Sequence, residues 1–557
     1  MRLDPRRRPN LALIGAALVL AGSAAVVTRP SYANTLPFVP AAPRATAFDR
    51  SAEIRWTGPG PESAAVDSYR ITWVQAGRVS VVPSTPLVAT IRDIPNGQAA
   101  TFTVSAHTAA GWGQASPAST PVYPTRPNIV VIVSDDQRAD SLGYMPLTNN
   151  RSWRRYSRAF VPEPQCCPSR ASLLTGRLPS TTGVDTLTRG GRLDESTTLA
   201  TMLDAVGYRT MLFGKYLNDY PFGRPPYDPA GWDTFRAFTG SYGYYGYTLS
   251  GAGGSETFGH APADYATDEL GTLAIEGLRA TPPATPAFLY LAPNAPHLPY
   301  VEAPRHTGSC SGITLANPPS FNAVDTGGEP TWMAAESPVP PLVNNVARRL
   351  TCSLLKTLDE TTNAVLNELQ RLRRLANTYV VFTSDNGWHF GEHRLLSKGD
   401  LYEEAIRVPL LIRGPGVTPG TSTRLTSNID LAPSIVQWAR TAAPPGFFDG
   451  KSLATEARGL TASQPSAVLL RGCRTTATAT GGAGPCGGYR SAFMNWGVRT
   501  ARWKYIVYTD GYEQLFDLAS DPYEMTNLAL APASAPTLAA LRAELIALGG
   551  GGPPTIP

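Results

Sequence analysis

The chain has 557 residues, 42% of them apolar and 16% charged, with 52 Pro and 51 Gly; this loop-rich balance still carries enough apolar residues for a core and excludes a disordered protein. Its formal charge is +5, but residues 1–33 hold five Arg and one Asp, so the remainder is nearly neutral and gives no support to nucleic-acid binding. The length suits one large domain and a smaller companion.

From the N-terminus, the start MRLDPRRRPN, the apolar run Leu11–Val27 and the small-x-small site Ser31-Tyr32-Ala33 read as a signal peptide over 1–33. Cleavage there predicts a secreted or extracytoplasmic protein with no stable membrane insertion. An uncleaved anchor is the competing reading, because the run is at the short limit of a spanning helix, and the cleavage site decides against it. No cysteine follows LVLAG, which argues against a lipid anchor. The three arginines hint at twin-arginine export without the hydrophobic signature expected after them.

Residues 36–124 alternate short β-rich runs with turns, which predicts an all-β sandwich. Trp56, Tyr69, Ile71, Leu87 and the run FTVSAHTAAGWGQAS resemble a fibronectin type III module. Such a module is either a carbohydrate- or surface-binding accessory or a spacer, since this fold does not fix function. PVYPTRP then reads as a stiff linker.

From Arg126 the pattern changes. PNIVVIVSDDQ and NTYVVFTSDNG (377–387) are apolar on both faces, as central strands of a parallel sheet are, and YRTMLFGKY and PAFLYLAPNAPH look like two more. Leu354–Leu375 forms an amphipathic helix. The expected fold is α/β: a mostly parallel central sheet covered by helices over 126–450, a smaller antiparallel subdomain over 451–545, and a disordered tail at 546–557. Asp135, Asp136, Asp385 and Asn386 end two of these strands, and in a parallel sheet both ends open onto one edge. Three carboxylates in one cleft call for a cation, and an all-oxygen set selects Ca²⁺ or Mg²⁺ over zinc.

EPQCCPSRASLLTGR contains C-x-P-S-R followed by a helix and T-G-R, which resembles the sulfatase signature of the alkaline phosphatase superfamily. The resemblance spans about residues 126–530 and looks most like the N-acetylglucosamine-6-sulfatase and heparan endosulfatase branch. It implies that Cys166 is oxidised to Cα-formylglycine by a maturation enzyme, with Cys167 a small buried filler. It implies Ca²⁺, in preference to Mg²⁺, on Asp135, Asp136, Asp385 and Asn386 with an oxygen from residue 166. It further implies catalytic roles for Arg170, Lys215, His297, Lys398 and His389, with His393 less clearly drawn. Leu217 stands where many members have a sulfate-binding His.

The function so implied is hydrolysis of a sulfate ester on a sulfated carbohydrate, a glycosaminoglycan or an aryl sulfate. Phosphonate or phosphate ester hydrolases of the same superfamily, and a non-catalytic glycan-binding protein, are the alternatives. The aromatic, Gly-rich stretch 237–254 is expected to be a loop at the pocket rim, with Tyr244 and Tyr245 stacking on sugar or packing on themselves. Of the other four cysteines, Cys473 and Cys486 bracket a Gly-rich loop and Cys310 with Cys352 is the remaining pair; four free thiols is the alternative an oxidising compartment disfavours.

Overall fold

The computed structural model describes residues 37–60, 63–313, 316–323, 330, 333, 336–475 and 492–549. The expected signal peptide and Cys486 lie outside the described residues.

Among the described residues, seven strands form the N-terminal sandwich: β1 (Arg44–Phe48), β2 (Ser51–Arg55), β3 (Ser68–Trp73), β4 (Arg78–Pro83), β5 (Val88–Arg92), β6 (Phe102–Thr108) and β7 (Gly111–Trp112). They pair antiparallel in two sheets, β1-β2-β5 and β4-β3-β6-β7. Period-two alternation turns Tyr69, Ile71 and Trp73 of β3, and Phe102 and Val104 of β6, into the space between the sheets. Trp56 meets Tyr69 edge-on there, ring centroids 5.2 Å apart.

The large sheet is built from β8 (Asn128–Ser134), β9 (Arg154–Phe160), β10 (Arg209–Gly214), β11 (Thr234–Thr239), β12 (Thr248–Gly251), β13 (Gly254–Thr257), β14 (Ala287–Ala292) and β15 (Thr378–Ser384). A short hairpin, β16 (His389–Phe390) with β17 (Leu396–Ser397), follows, and then β18 (Leu410–Arg413) and β19 (Gly420–Ser427) complete the ten strands. Their order is β13-β12-β11-β10-β14-β8-β15-β18-β9-β19. The five strands from β11 to β15 run parallel, whereas β12 and β13 on one flank and β18 on the other pair antiparallel. Alternate residues of β8 serve opposite faces: Ile129, Val131 and Val133 join one core cluster, Val130 and Ile132 the other. This is why β8 reads as an unbroken apolar run.

The helix expected over 354–375 begins earlier and runs Pro341–Arg371. It packs with Ala266–Ala280 on the second face, and Cys310 is disulfide-bonded to Cys352 within it. The C-terminal part is an antiparallel sheet of β20 (Ala467–Thr475), β21 (Ala492–Thr500), β22 (Trp503–Tyr508) and β23 (Glu513–Asp517), covered by a helix Ala535–Leu548. That helix carries three residues into the stretch expected to be tail. Cys473 is disulfide-bonded. Among the described residues no helix is long and apolar enough to cross a membrane.

The sandwich sits against the starting ends of β8 and β15. Asn377 Nδ2 donates to Thr125 O (3.1 Å), Arg373 to Thr120 Oγ1 (2.6 Å), and Arg440 pairs with Asp49 (2.6 Å).

Candidate active site

β8 and β15 pair in parallel from Asn128↔Thr378 to Ser134↔Ser384, so the residues after each strand emerge side by side. The backbone N–H of Asp385 donates to Ser134 O (3.2 Å), and that of Gln137 to Ser384 Oγ (2.9 Å). Between them Asp136 turns into the left-handed region, φ 64°, a conformation an aspartate tolerates better than most side chains but still at a cost in strain. Asp135, Asp136, Asp385 and Asn386 are all buried.

Cys166 opens the helix Cys166–Thr175, every residue of which is buried, and its Sγ lies 3.5 Å from Asp135 Oδ1. Three cations and an imidazole surround this point. Lys398 Nζ is 2.7 Å from Cys166 Sγ and also bonds Asp136 Oδ1. Lys215 Nζ is 2.5 Å from Asp135 Oδ2, Arg170 Nε donates to Asp385 Oδ2 (2.8 Å), and His297 Nε2 is 3.6 Å from Asp136 Oδ2. Arg170 Nη1 also donates to Lys215 O (2.8 Å), tying the helix to the end of β10. Cys167 is fully buried in the first-face core cluster, and so is Leu217.

Electrostatics follow from burial. Burial opposes the charge of Asp135, yet Lys215, His297, Arg170 and Lys398 together hold its carboxyl below the usual range. Asp385 is pushed up, by burial and then by Asp135. The Cys166 thiol is likewise pushed well up by burial and by Asp135, so an unmodified thiol here is a poor nucleophile.

The residues fit a hard divalent cation. Asp135, Asp136, Cys166 and His297 each offer an atom, all within 4.8 Å of one another. Asp136 Oδ2 and Asn386 Oδ1 are buried oxygens without a hydrogen-bond donor, which a cation would satisfy. Carboxylate and amide oxygens form the donor set that Ca²⁺ and Mg²⁺ favour.

A family model described as sulfatase matches residues 127–441, more than half of the chain. The chain belongs to the sulfatase family. It is a sulfuric ester hydrolase, and a fibronectin type III domain model matches its residues 41–122. The sulfatase is 31% identical to human N-acetylglucosamine-6-sulfatase over 450 residues, 72% of this chain and 81% of that one. With the Drosophila melanogaster extracellular sulfatase SULF-1 homolog it shares 32% identity over 348 residues, 59% of this chain and 31% of the relative. Among solved structures, a protein in complex with its substrate D-glucosamine-2-N,6-O-disulfate superposes with TM-score 0.63 at 21% identity, covering 76% of this chain and 97% of that one. The phosphonate monoester hydrolase of Agrobacterium radiobacter gives 0.60 at 18% identity, over 76% and 95% of the two chains. At these identities the likeness is one of fold.

In the sulfatase His389 is fully buried, and its Nε2 lies 2.7 Å from Asp400 Oδ1. His393 stacks on Tyr402, centroids 4.2 Å apart. The stretch 237–254 is less of a loop than expected, since β11 and β12 occupy much of it. Tyr244 is buried and donates to His297 O (2.9 Å), so it holds the loop that presents His297, and Tyr245 packs edge-on against Tyr265. Tyr242 is the half-buried aromatic at the site, its ring 5.0 Å from Lys215 Nζ. Trp388 faces Lys398 in the same way at 5.7 Å. Neither ring was singled out from the sequence; the signal for Trp388 is its place directly after the Asp385-Asn386-Gly387 turn.

Proposed function

We propose that this sulfatase is secreted and removes sulfate from a sulfated amino sugar of a glycan, using Cα-formylglycine at position 166 and one Ca²⁺. The observation that supports it is the convergence of Arg170, Lys215, Lys398 and His297 on Cys166 Sγ and the paired carboxylates, since an anionic sulfate ester and the sulfate it releases need cationic groups around the attacked sulfur. The 31% identical human N-acetylglucosamine-6-sulfatase supports the sugar.

Cys166 Sγ marks the place that the formylglycine hydroxyls would take; matured, that residue would supply covalent catalysis, with a second hydroxyl on the same carbon to release the sulfate. Asp135, Asp136, Asp385 and Asn386 would hold a divalent cation, which would supply Lewis acidity to the site. Lys215 and Lys398 bind the sulfate charge. His297, a quarter exposed at the mouth, is placed to donate a proton to the leaving sugar oxygen. Arg170 aligns Asp135 and Asp385 and opposes the burial that disfavours their charge. Residues 126–450 form the catalytic body and 451–545 its C-terminal subdomain, after export through residues 1–33.

The test is a mass spectrum of the peptide carrying Cys166 from protein produced with a maturation enzyme, followed by turnover of glucosamine 6-sulfate and of a phosphate diester. Conversion with sulfate turnover supports the reading. Preference for the phosphate diester would move the chain to the phosphonate hydrolase alternative.

A further inference from the structure

Lys398 reaches Cys166 from an unusual turn. Ser397 and Gly399 on either side of it both have positive φ, 76° and 106°, so the lysine is carried at the apex of a backbone that would not hold this shape unaided. A Cβ on Gly399 would come within 2.6 Å of Cys473 O, which puts strand β20 of the C-terminal sheet directly against the turn.

The same strand supplies the restraint. Arg474 Nη2 donates to Leu396 O (3.2 Å) before the lysine, and Arg474 Nη1 pairs with Asp400 Oδ2 (3.0 Å) after it. One planar guanidinium thus spans the turn from Leu396 to Asp400, a geometry a lysine at 474 cannot copy. Asp400 Oδ1 accepts from Tyr402 N (3.2 Å) and lies 2.7 Å from His389 Nε2, and His389 is itself paired to Ser397 across the β16–β17 hairpin. Asp400 and His389 are fully buried and Arg474 nearly so.

We propose that Arg474, Asp400 and His389 are positioning residues that clamp the turn and so fix Lys398 against residue 166 and the sulfate. The proposal rests on the reading of Lys398 as a sulfate-binding group. It gives the C-terminal subdomain a part in catalysis and gives His389 a role one step removed from the reacting atoms.

A double-mutant cycle tests it on the full-length matured enzyme with glucosamine 6-sulfate. Arg474→Lys and His389→Gln should each lower kcat/KM about 10- to 100-fold, the scale of a small misplacement of a reacting group. Each should weaken inhibition by free sulfate, as Lys398→Ala should. In the Lys398→Ala background the same changes should cost less than about twofold more, because the group they position is gone. Losses that multiply with that of Lys398→Ala would overturn the clamp and leave the reading of Lys398 intact. An active Lys398→Ala enzyme would overturn both. If Arg474→Lys does not fold, the His389→Gln arm of the cycle decides alone.

Discussion

The backbone N–H of Asp136 donates to Oδ1 of Asp385 at 3.1 Å, joining the turns after two strands that lie 249 residues apart in sequence. That bond makes the two carboxylate motifs one object. A change at either reaches the other carboxylates of the cluster and Arg170, which shares Asp385 through its Nε.

Asp385→Asn should therefore abolish turnover, by about a thousandfold or more, and also destabilise the protein by up to roughly 3 kcal/mol, as Arg170 loses the nearer of its two buried carboxylate partners and keeps only Asp135 at 3.6 Å. Calcium should raise the stability of the wild type by about 2.7 kcal/mol at a hundredfold excess over Kd and leave the variant unmoved. Calorimetric scans with and without Ca²⁺ measure this. A calcium shift preserved in the variant would remove Asp385 from the ligand set.

The adjacent cysteines should part company. Cys166→Ser should lose turnover, because a serine hydroxyl can attack sulfur but cannot eliminate the sulfate it then carries. Cys167→Ala deletes one buried sulfur from the core cluster and should cost about 1 kcal/mol with activity within about threefold of wild type. Steady-state rates with an intact-mass measurement for trapped sulfate check both, and exchanged phenotypes would reassign the nucleophile.

Tyr242→Ala should lower kcat/KM on glucosamine 6-sulfate about tenfold while a small aryl sulfate loses less, because the ring that flanks Lys215 offers a sugar a flat face. Tyr244→Phe removes the hydrogen bond to His297 O and should lower turnover of both substrates equally. Parallel kinetics on the two substrates separate these outcomes; equal losses in Tyr242→Ala would make that residue a wall of the sulfate pocket without a hand in sugar choice.

Glu163, three residues before Cys166, is fully buried, and burial raises it from 4.5 to about 8, with Arg471 opposing and Asp185 adding to the shift. The folded state thus holds this proton more tightly than the unfolded chain. Its contribution to stability is complete below about pH 4.5 and is lost as pH rises through about 8. Glu163→Gln keeps the site neutral, so its stability should fall by a few kcal/mol less than the wild type's between pH 5 and 9. Denaturant titrations across that range give the two slopes; parallel slopes would mean that Glu163 stays ionised in the fold.

What could be read from the sequence was whatever chemistry is written locally. Asp135-Asp136 and Asp385-Asn386 follow apolar runs long enough to declare themselves central strands, and Cys166 to Arg170 lie within one helical turn. What stayed hidden depends on distance or on a shared pattern. Arg474 reaches Asp400 across 74 residues and looks like any charged strand residue. β9, with the sequence RRYSRAF, is too charged to resemble an interior strand, yet it lies between β18 and β19 with its arginines only half buried. The tyrosines of 242–247 suggested a loop because their glycines mask the alternation, whereas tertiary contacts make Tyr244 a buried brace.

The sandwich meets the sheet where β8 and β15 begin, and Cys166 lies where they end. Seven residues of strand at about 3.3 Å each set roughly 23 Å of packed protein between the two. A ligand gripped by the module would be held behind the catalytic domain, so module and Cys166 cannot share a single sugar unit. A polymer touching both must pass around the edge of the sheet, and a module fixed to a surface would turn the mouth of the pocket outward, toward chains arriving from solution.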